Sequence, residues 1–450
     1  MPNFLEPLIN PARLVSSPLS LAEKILYWTA VLTPVWWLSG IQTLFYPAVV
    51  IFLLLYYFRF DTVLRRRLPL CVWAWLIMTV FMLWTTILGL EDMSAGLTTV
   101  AAAMVTFFKS YLLIFAAIAL PFFSRIRLPI LTRGIVLMTL GMLVNLIVQM
   151  GLLVAGMSQQ VLTPPLARLI PGDVSSSLLV KTASFEFFAG LPVPRTILHT
   201  ADPPILGVCS LLCFLICLNE TNRPLRNWAL FSTICTLIIS FSRTAWIGFI
   251  ASLILLACLR YATVRQLPLW LTAITLSILS WFELTVGALL QKPQEIFDSA
   301  RASSSSTRAL VVKETLEAWQ EKLWLGWGVI RGRAWIYDDN YITLGSFSTY
   351  AAVLYLNGVI GFVVFILALG LTVADFYSGA IRNHFACQIA LVGFLILCIL
   401  IQATPLSWMA IYLWFFFVWI GAVLQEYRQE TQQADRLSWE QLVHNHASSS

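Results

Sequence analysis

The feature that most constrains this chain is a succession of apolar stretches, each about long enough to form a helix through a bilayer. A spanning helix needs roughly 20 mainly apolar residues. The sequence offers twelve candidates, at about 25–41, 43–58, 70–90, 97–123, 130–156, 201–218, 227–241, 244–259, 267–290, 348–374, 385–403 and 407–424. Pro34, Gly40 and Pro47 interrupt the first two. Charge is correspondingly scarce: 28 Lys and Arg with 22 Asp and Glu amount to 11% of 450 residues, against 59% hydrophobic. Soluble domains carry about a quarter charged residues. Too little charge remains to clothe a water-facing surface, which excludes soluble enzymes, nucleic-acid binders and secreted disulfide scaffolds. The expected fold is an all-α integral membrane protein with about 12 transmembrane helices.

The basic residues set the expected orientation. They gather in short loops after the even-numbered stretches: Arg59 and Arg65 to Arg67, then Arg125, Arg127 and Arg133, then Arg223 and Arg226, then Arg260 and Arg265, and Arg382. Loops after odd-numbered stretches carry almost none. Both termini are therefore expected in the cytoplasm, with residues 1–24 and the polar tail 425–450 flanking a membrane domain over 25–424. The eight cysteines all lie inside apolar runs without a CxxC pair, and Cys209, Cys213 and Cys217 share one helical face. They are expected to pack, not to bridge or bind metal. His444 and His446 form an isolated HxH pair in the tail, too little for a metal site, and no cofactor is expected.

Two loops on the outer side are long, about 157–200 and 291–347. The second holds seven cations, from Lys292 to Arg333, balanced by seven carboxylates including Asp338 and Asp339. Function collects in long loops positioned by a rigid scaffold, so the work of the protein is expected outside the cytoplasm.

Within this region three places stand out. In Ser240-Phe241-Ser242-Arg243-Thr244-Ala245-Trp246, Ser242 is a good N-cap and Arg243 falls in the first turn of the following helix. A cation fits poorly with a helix N-terminal dipole. It therefore has an outside partner: a phosphate held bidentately, or lipid headgroups reached by snorkelling. After Ser303-Ser304-Ser305-Ser306-Thr307-Arg308, residues Val312, Leu316, Trp319 and Leu323 recur at spacings of four, three and four. That spacing predicts an amphipathic surface helix, capped by Ser306 or Thr307 with Arg308 in its first turn, and ending at Gly326-Trp327-Gly328. Two arginines at two helix starts suit a diphosphate, though surface charge reads equally well. The third place is Leu344-Gly345-Ser346-Phe347-Ser348-Thr349-Tyr350, with Gly358 and Gly361 beyond it.

Taken in order, these features resemble the O-antigen ligase and polymerase family of bacterial envelope glycan assembly. The resemblance rests on the SxSR stretch ending at Arg243, on Arg308 followed by the EAWQEKLWLGWG run, and on LGSxSTY with its Gly358-x-x-Gly361 pair. It spans about residues 240–365, and the helix count and long outer loops extend it further. It implies a metal-independent glycosyltransferase at the periplasmic face of the bacterial inner membrane. Such an enzyme takes a glycan from an undecaprenyl-diphosphate carrier and joins it to an acceptor, among membrane lipids. The family arginines that hold the diphosphate correspond to Arg243 and Arg308. The family histidine regarded as the acceptor-activating base corresponds to Phe347, which can neither accept a proton nor accept a hydrogen bond. Three readings follow: the base is dispensable, another group such as Asp339, Asp338 or His199 replaces it, or the chain binds carrier lipid without transfer.

Further candidates for substrate binding are Arg195 and His199, which precede Pro203-Pro204, together with Trp327 and Ser346. Lys109 and Glu283 lie within apolar stretches, where charge is costly and usually functional. They are expected to pair, or Lys109 to face the carrier phosphate. A transporter or flippase is the competing class. It should show broken helices in matched halves, whereas the unexplained cations here collect in one outer loop.

Overall fold

The computed structural model describes residues 17–61, 68–169, 178–188, 191–261, 302–336 and 341–448. The expected ninth stretch, 267–290, with Glu283, lies outside the described residues, as do Asp338 and Asp339.

Helices dominate. The first expected stretch is two pieces, α1 (Leu21–Val31) and α2 (Thr33–Ser39), which meet at Leu32 just before Pro34. Proline tolerates the first turn of a helix but not its interior, which makes Leu32 the natural break. Ser20 and Glu23 form a reciprocal capping box: the Glu23 amide donates to Ser20 Oγ at 3.1 Å and the Ser20 amide to Glu23 Oε2 at 2.8 Å. Then follow α3 (Gln42–Tyr57), α4 (Leu70–Asp92), α5 (Leu97–Phe123) and α6 (Leu128–Val154). One turn of α5, Phe108–Leu112, is π-helical.

The first long loop is not irregular. Strands β1 (Val161–Leu162) and β2 (Val180–Lys181) pair antiparallel, and so do β3 (Ser184–Phe188) and β4 (Leu191–Arg195). The chain is mainly helical, as expected, and these short hairpins are a minor addition: Phe185, Glu186 and Phe187 alternate sides with the period of a strand. Helices α7 (Pro203–Cys217), α8 (Arg223–Ile239) and α9 (Arg243–Arg260) come next. Beyond them lie α10 (Ala302–Gln320) and a small hairpin of β5 (Arg333–Trp335) and β6 (Tyr341–Thr343). The chain continues through α11 (Thr349–Ile381), α12 (Phe385–Leu400), the short α13 (Leu406–Met409) and α14 (Trp414–Ser448). The last helix runs through residue 425 without interruption.

Five of these helices, α4, α5, α6, α9 and α11, are long and apolar enough to cross a membrane. Three shorter apolar helices, α3, α7 and α12, accompany them. Apolar side chains such as Phe52, Leu55, Val144, Ile147, Ile250 and Leu367 are exposed on the outside of the bundle, an arrangement that lipid tolerates and water does not. The centre is the first half of α14, from Trp414 to Leu424, packed on residues 113–123 of α5 and walled by α7 and α12. Cys209, Cys213 and Cys217 are buried there as free thiols, as their shared face led us to expect.

Two arginines that the orientation argument placed in loops are structural. Arg133 sits inside α6 and, like Glu220, is 3% exposed; its Nε and Nη2 donate to the two Glu220 oxygens at 2.8 Å each. Arg127 binds Glu23 and Ser17 at the same end of the bundle.

The opposite end is organised by a break in α11. At Gly358 the backbone takes φ 65° and ψ −169°, a region open essentially to glycine alone. The backbone groups freed by the break pair with the segment after α10. The Val359 amide donates to Leu323 O at 2.8 Å, Trp327 N to Tyr355 O at 2.8 Å, and Gly328 N to Leu356 O at 2.7 Å. Irregular backbone is tolerated in such a bundle only where protein groups satisfy it. Gly328 itself, at φ 70°, lies against the α4 backbone, where any Cβ would come within 2.1 Å of Thr85 O. Asn357 Nδ2 donates to Thr85 Oγ1 at 2.5 Å, tying the break to α4.

Candidate functional site

The start of α9 forms as the sequence suggests. Ser242 has extended backbone and its Oγ accepts from the Ala245 amide at 3.4 Å, so Arg243 is the first helical residue. The turn before it is held from several sides. Phe241 has a left-handed φ of 45°, uncommon for a bulky residue and maintained only when its surroundings dictate it. Its ring lies 5.4 Å from Phe188 and 5.7 Å from Trp246.

Arg195 supplies the other support. It is 6% exposed; its Nε donates to Ser240 O at 3.1 Å and its Nη1 meets Glu186 Oε2 at 2.5 Å. The β3–β4 hairpin thereby clamps the turn that presents Arg243. This geometry suits positioning, alongside the substrate-binding role the sequence suggested.

Helix α10 differs from expectation in register. It is already helical at Ala302, so Ser306 and Thr307 are not its cap and Arg308 lies beyond its first turn. Its buried positions are Val311 and Thr315; Val311 packs with Leu344 and Tyr355, and the half-buried Ala318 and Trp319 join them, while Val312 and Leu316 are half-buried as well. Thr315 Oγ1 accepts from the Gly345 amide at 3.0 Å, which locks α10 to the turn before Phe347.

Arg308 lies three and seven residues before Val311 and Thr315, so it continues that same helical face. Its Nη1 donates to Ala403 O at 3.2 Å, and its guanidinium lies over the Phe347 ring at 5.2 Å. A cation over an aromatic face is stabilised by the ring quadrupole. Phe347, which has no proton to give or take, thus provides a platform for the arginine.

Arg308 and Phe347 line a groove of about 540 Å³. One wall is α9, through Thr244, Ile247, Gly248 and Ala251; the other is the end of α12, through Ile396 and Ile399. Arg308 thus stands at one end of a mainly apolar groove, and Arg243 precedes its wall residue Thr244 in the chain without being one of the lining residues. The groove opens to the outer surface of the bundle, where Ile247 is 56% and Ile399 62% exposed.

The remaining expected residues are distributed around this end. Trp327 is half-buried; its Nε1 donates to Ala318 O at 2.9 Å, and Lys322 and Arg331 approach its ring at 4.8 and 5.1 Å. The same two cations meet Asp92 at the end of α4. Ser346 is buried with its hydroxyl on Thr343 O at 2.5 Å, inside the turn that carries Phe347. His199 is also buried, and loss of hydration pulls its pKa down to about 4, so its imidazole is neutral near neutral pH. Gln42 Nε2 donates to its backbone carbonyl at 3.0 Å. Lys109 occupies the π-helical turn of α5, with no carboxylate partner among the described residues. That turn packs on α13, just beyond the Ala403 carbonyl that Arg308 uses. One carboxylate passed over in the sequence, Asp202, stands at the first turn of α7 beside this group of cations; its place between His199 and Pro203-Pro204 was the available signal.

Residues 228–366 match the family described as O-antigen ligase. Over this segment the chain carries the O-antigen ligase pattern. The matched part of this O-antigen ligase-like chain runs from α8 past the break in α11, and it contains Arg243, Arg308, Phe347 and the Gly358–Gly361 pair. No curated protein matches the chain. Among the described residues no group of three or more His, Cys, Asp or Glu side chains is arranged to hold a metal ion.

Proposed function

We propose that the protein is a membrane glycosyltransferase of the O-antigen ligase and polymerase kind. On this reading it works at the periplasmic face of the bacterial inner membrane and moves a glycan from an undecaprenyl-diphosphate carrier to an acceptor sugar. The observation that carries the proposal is the groove. It combines an arginine-bearing mouth with an apolar floor open to lipid, which matches a ligand that is a diphosphate at one end and a polyprenyl chain along the rest.

The chemistry follows from the charges. When the bond from the anomeric carbon to the diphosphate breaks, negative charge grows on the leaving oxygens. Guanidinium groups preorganised at that point stabilise the transition state more than the ground state. Arg308 is well suited, because Ala403 and the Phe347 ring fix its orientation before substrate arrives. Arg243 would bring the second fork, on a turn clamped by Arg195. Ala251 and Ile396 would bound the path of the prenyl chain along the groove.

The test is glycan transfer in proteoliposomes, from a lipid-diphosphate oligosaccharide to an acceptor. Wild type is expected to form product, and Arg308→Ala or Arg243→Ala to lower kcat/KM by a hundredfold or more. Full activity in both variants would refute the assignment. A second reading, carrier-lipid binding without transfer, is favoured by Phe347; it predicts an inert wild type that gains activity on Phe347→His.

A further inference from the structure

With Phe347 committed to Arg308, the proposed reaction still needs a group to receive the acceptor's proton. Several of the described carboxylates at this end of the bundle are already held by cations. Asp92 is engaged by Lys322 and Arg331, Glu186 by Arg195, and Glu317 by Lys313 on the exposed side of α10. His199 is buried and kept neutral.

Asp202 is different. It is the N-cap residue of α7, with extended backbone at φ −143° and ψ 151°, yet its carboxylate makes no capping bond. Pro203 and Pro204 follow, so of the two amides that a capping side chain ordinarily takes only that of Ile205 is left. The Asp202 backbone carbonyl is used, accepting from Thr200 Oγ1 at 3.1 Å and Leu206 N at 3.1 Å. Its side chain is exposed and has no hydrogen bond among the described residues.

Its position is fixed by α7 and α9. Gly207, five residues into α7, lies against the turn before α9; a Cβ there would come within 2.7 Å of the Ala245 Cβ and 2.9 Å of the Ser242 Cβ. Asp202 therefore stands about 7 Å farther out than the start of α9, from the helical rise of five residues. Arg308 from α10, Arg195 from β4 and Lys181 from β2 all act on its charge, and Asp202 in turn acts on Tyr412. Loss of surrounding water pushes its pKa up, against the pull of those three cations. A carboxylate that is reachable, unspent and less acidic than usual has the profile of a general base.

We propose that Asp202 is the catalytic base that takes the proton from the acceptor hydroxyl, an inference that rests on the transfer reaction proposed above. The acceptor oxygen bonds to the donor's anomeric carbon as the bond from that carbon to the diphosphate oxygen breaks. The acceptor proton passes to the Asp202 carboxylate and then to water. The lipid diphosphate leaves with its added negative charge facing Arg308 and Arg243.

The test uses the full chain in proteoliposomes and compares Asp202→Asn, Asp202→Glu and the double variant Asp202→Asn with Phe347→His. Two readouts are needed: transfer rate across pH and affinity for undecaprenyl diphosphate. Asp202→Asn is expected to lower kcat by about 100-fold or more and to abolish the acid limb of the pH profile. Its affinity for undecaprenyl diphosphate should stay within about threefold of wild type. Asp202→Glu should keep part of the rate, and His at position 347 should restore part of it to the Asn variant. An active wild type whose rate Asp202→Asn leaves within about threefold overturns the base assignment alone. Equal losses of rate and of lipid-diphosphate affinity also overturn it, in favour of an electrostatic role. A wild type that binds the lipid diphosphate and forms no product overturns the transfer reading, and the base with it.

Discussion

Replacing Gly358 by alanine isolates the break in α11 on which the whole outer end depends. A Cβ at Gly358 would lie 2.2 Å from the Trp324 carbonyl carbon and oxygen and 2.5 Å from Leu325 N, where real Cβ contacts do not fall below 3.0 Å. The opposing atoms are backbone, so no side chain can swing aside. Holding a non-glycine residue at φ 65° and ψ −169° adds about 1–3 kcal/mol of strain. The alternative is for the segment after α10 to withdraw, which gives up the three bonds from Val359, Trp327 and Gly328, worth about 1 kcal/mol each net. Either route costs about 3 kcal/mol or more. Gly370, in the same helix, is the control: nothing lies within 4 Å of a Cβ there, and alanine in an open helical position stabilises by about 0.5–1 kcal/mol relative to glycine. Unfolding in mixed micelles, titrated with a denaturing detergent, compares the two. Gly358→Ala is expected to lose about 3 kcal/mol or more of folding free energy and Gly370→Ala to match or exceed wild type. Equal stability for the two variants would show that Gly358 is not where α11 is broken.

Three further outcomes follow from the same geometry. Glu220→Gln leaves the Arg133 guanidinium buried without its counter-charge, which is expected to cost about 3–5 kcal/mol; unchanged unfolding in the same assay would mean that the pair is solvated. His199 has a folded pKa of about 4 against an ordinary value of 6.5. Burial in the neutral form is therefore favourable above 6.5, and this contribution is lost as pH falls from 6.5 towards 4. The stability gap between wild type and His199→Asn should shrink over that window, and a gap constant with pH contradicts the buried neutral imidazole. Arg195→Met is expected to lower transfer mainly through kcat while Arg195→Lys recovers part of it, because the Ser240 carbonyl would regain a donor; identical defects in both would point to direct substrate contact.

Much of the bundle was legible because apolar length and capping are local properties. The stretches at 43–58, 70–90, 97–123 and 130–156 emerge within two residues of the helices observed, and Ser242 caps α9 as its residue type implies. What was not legible depends on distant partners. The run of serines before Arg308 looked like a cap, but packing of Val311 on Leu344 and Tyr355 selects a helix that is already formed at Ala302 and rotates its apolar face. Arg133 counted as an orientation signal until Glu220, 87 residues away, appeared beside it. The break at Gly358 is invisible in a continuous apolar run, since only the approach of Trp324 requires it. Asp202 was overlooked for a similar reason. Its value lies in being left unspent among cations from three other elements.

The central claim is that Arg308, held by Ala403 and Phe347, grips the carrier's diphosphate at the mouth of the groove. The most direct measurement is the affinity of the purified protein in nanodiscs for undecaprenyl diphosphate without a glycan, compared with undecaprenol. Wild type is expected to prefer the diphosphate strongly, and Arg308→Ala to lose that preference while still binding undecaprenol through the groove. An Arg308→Ala protein that discriminates between the two lipids as well as wild type does would contradict the claim.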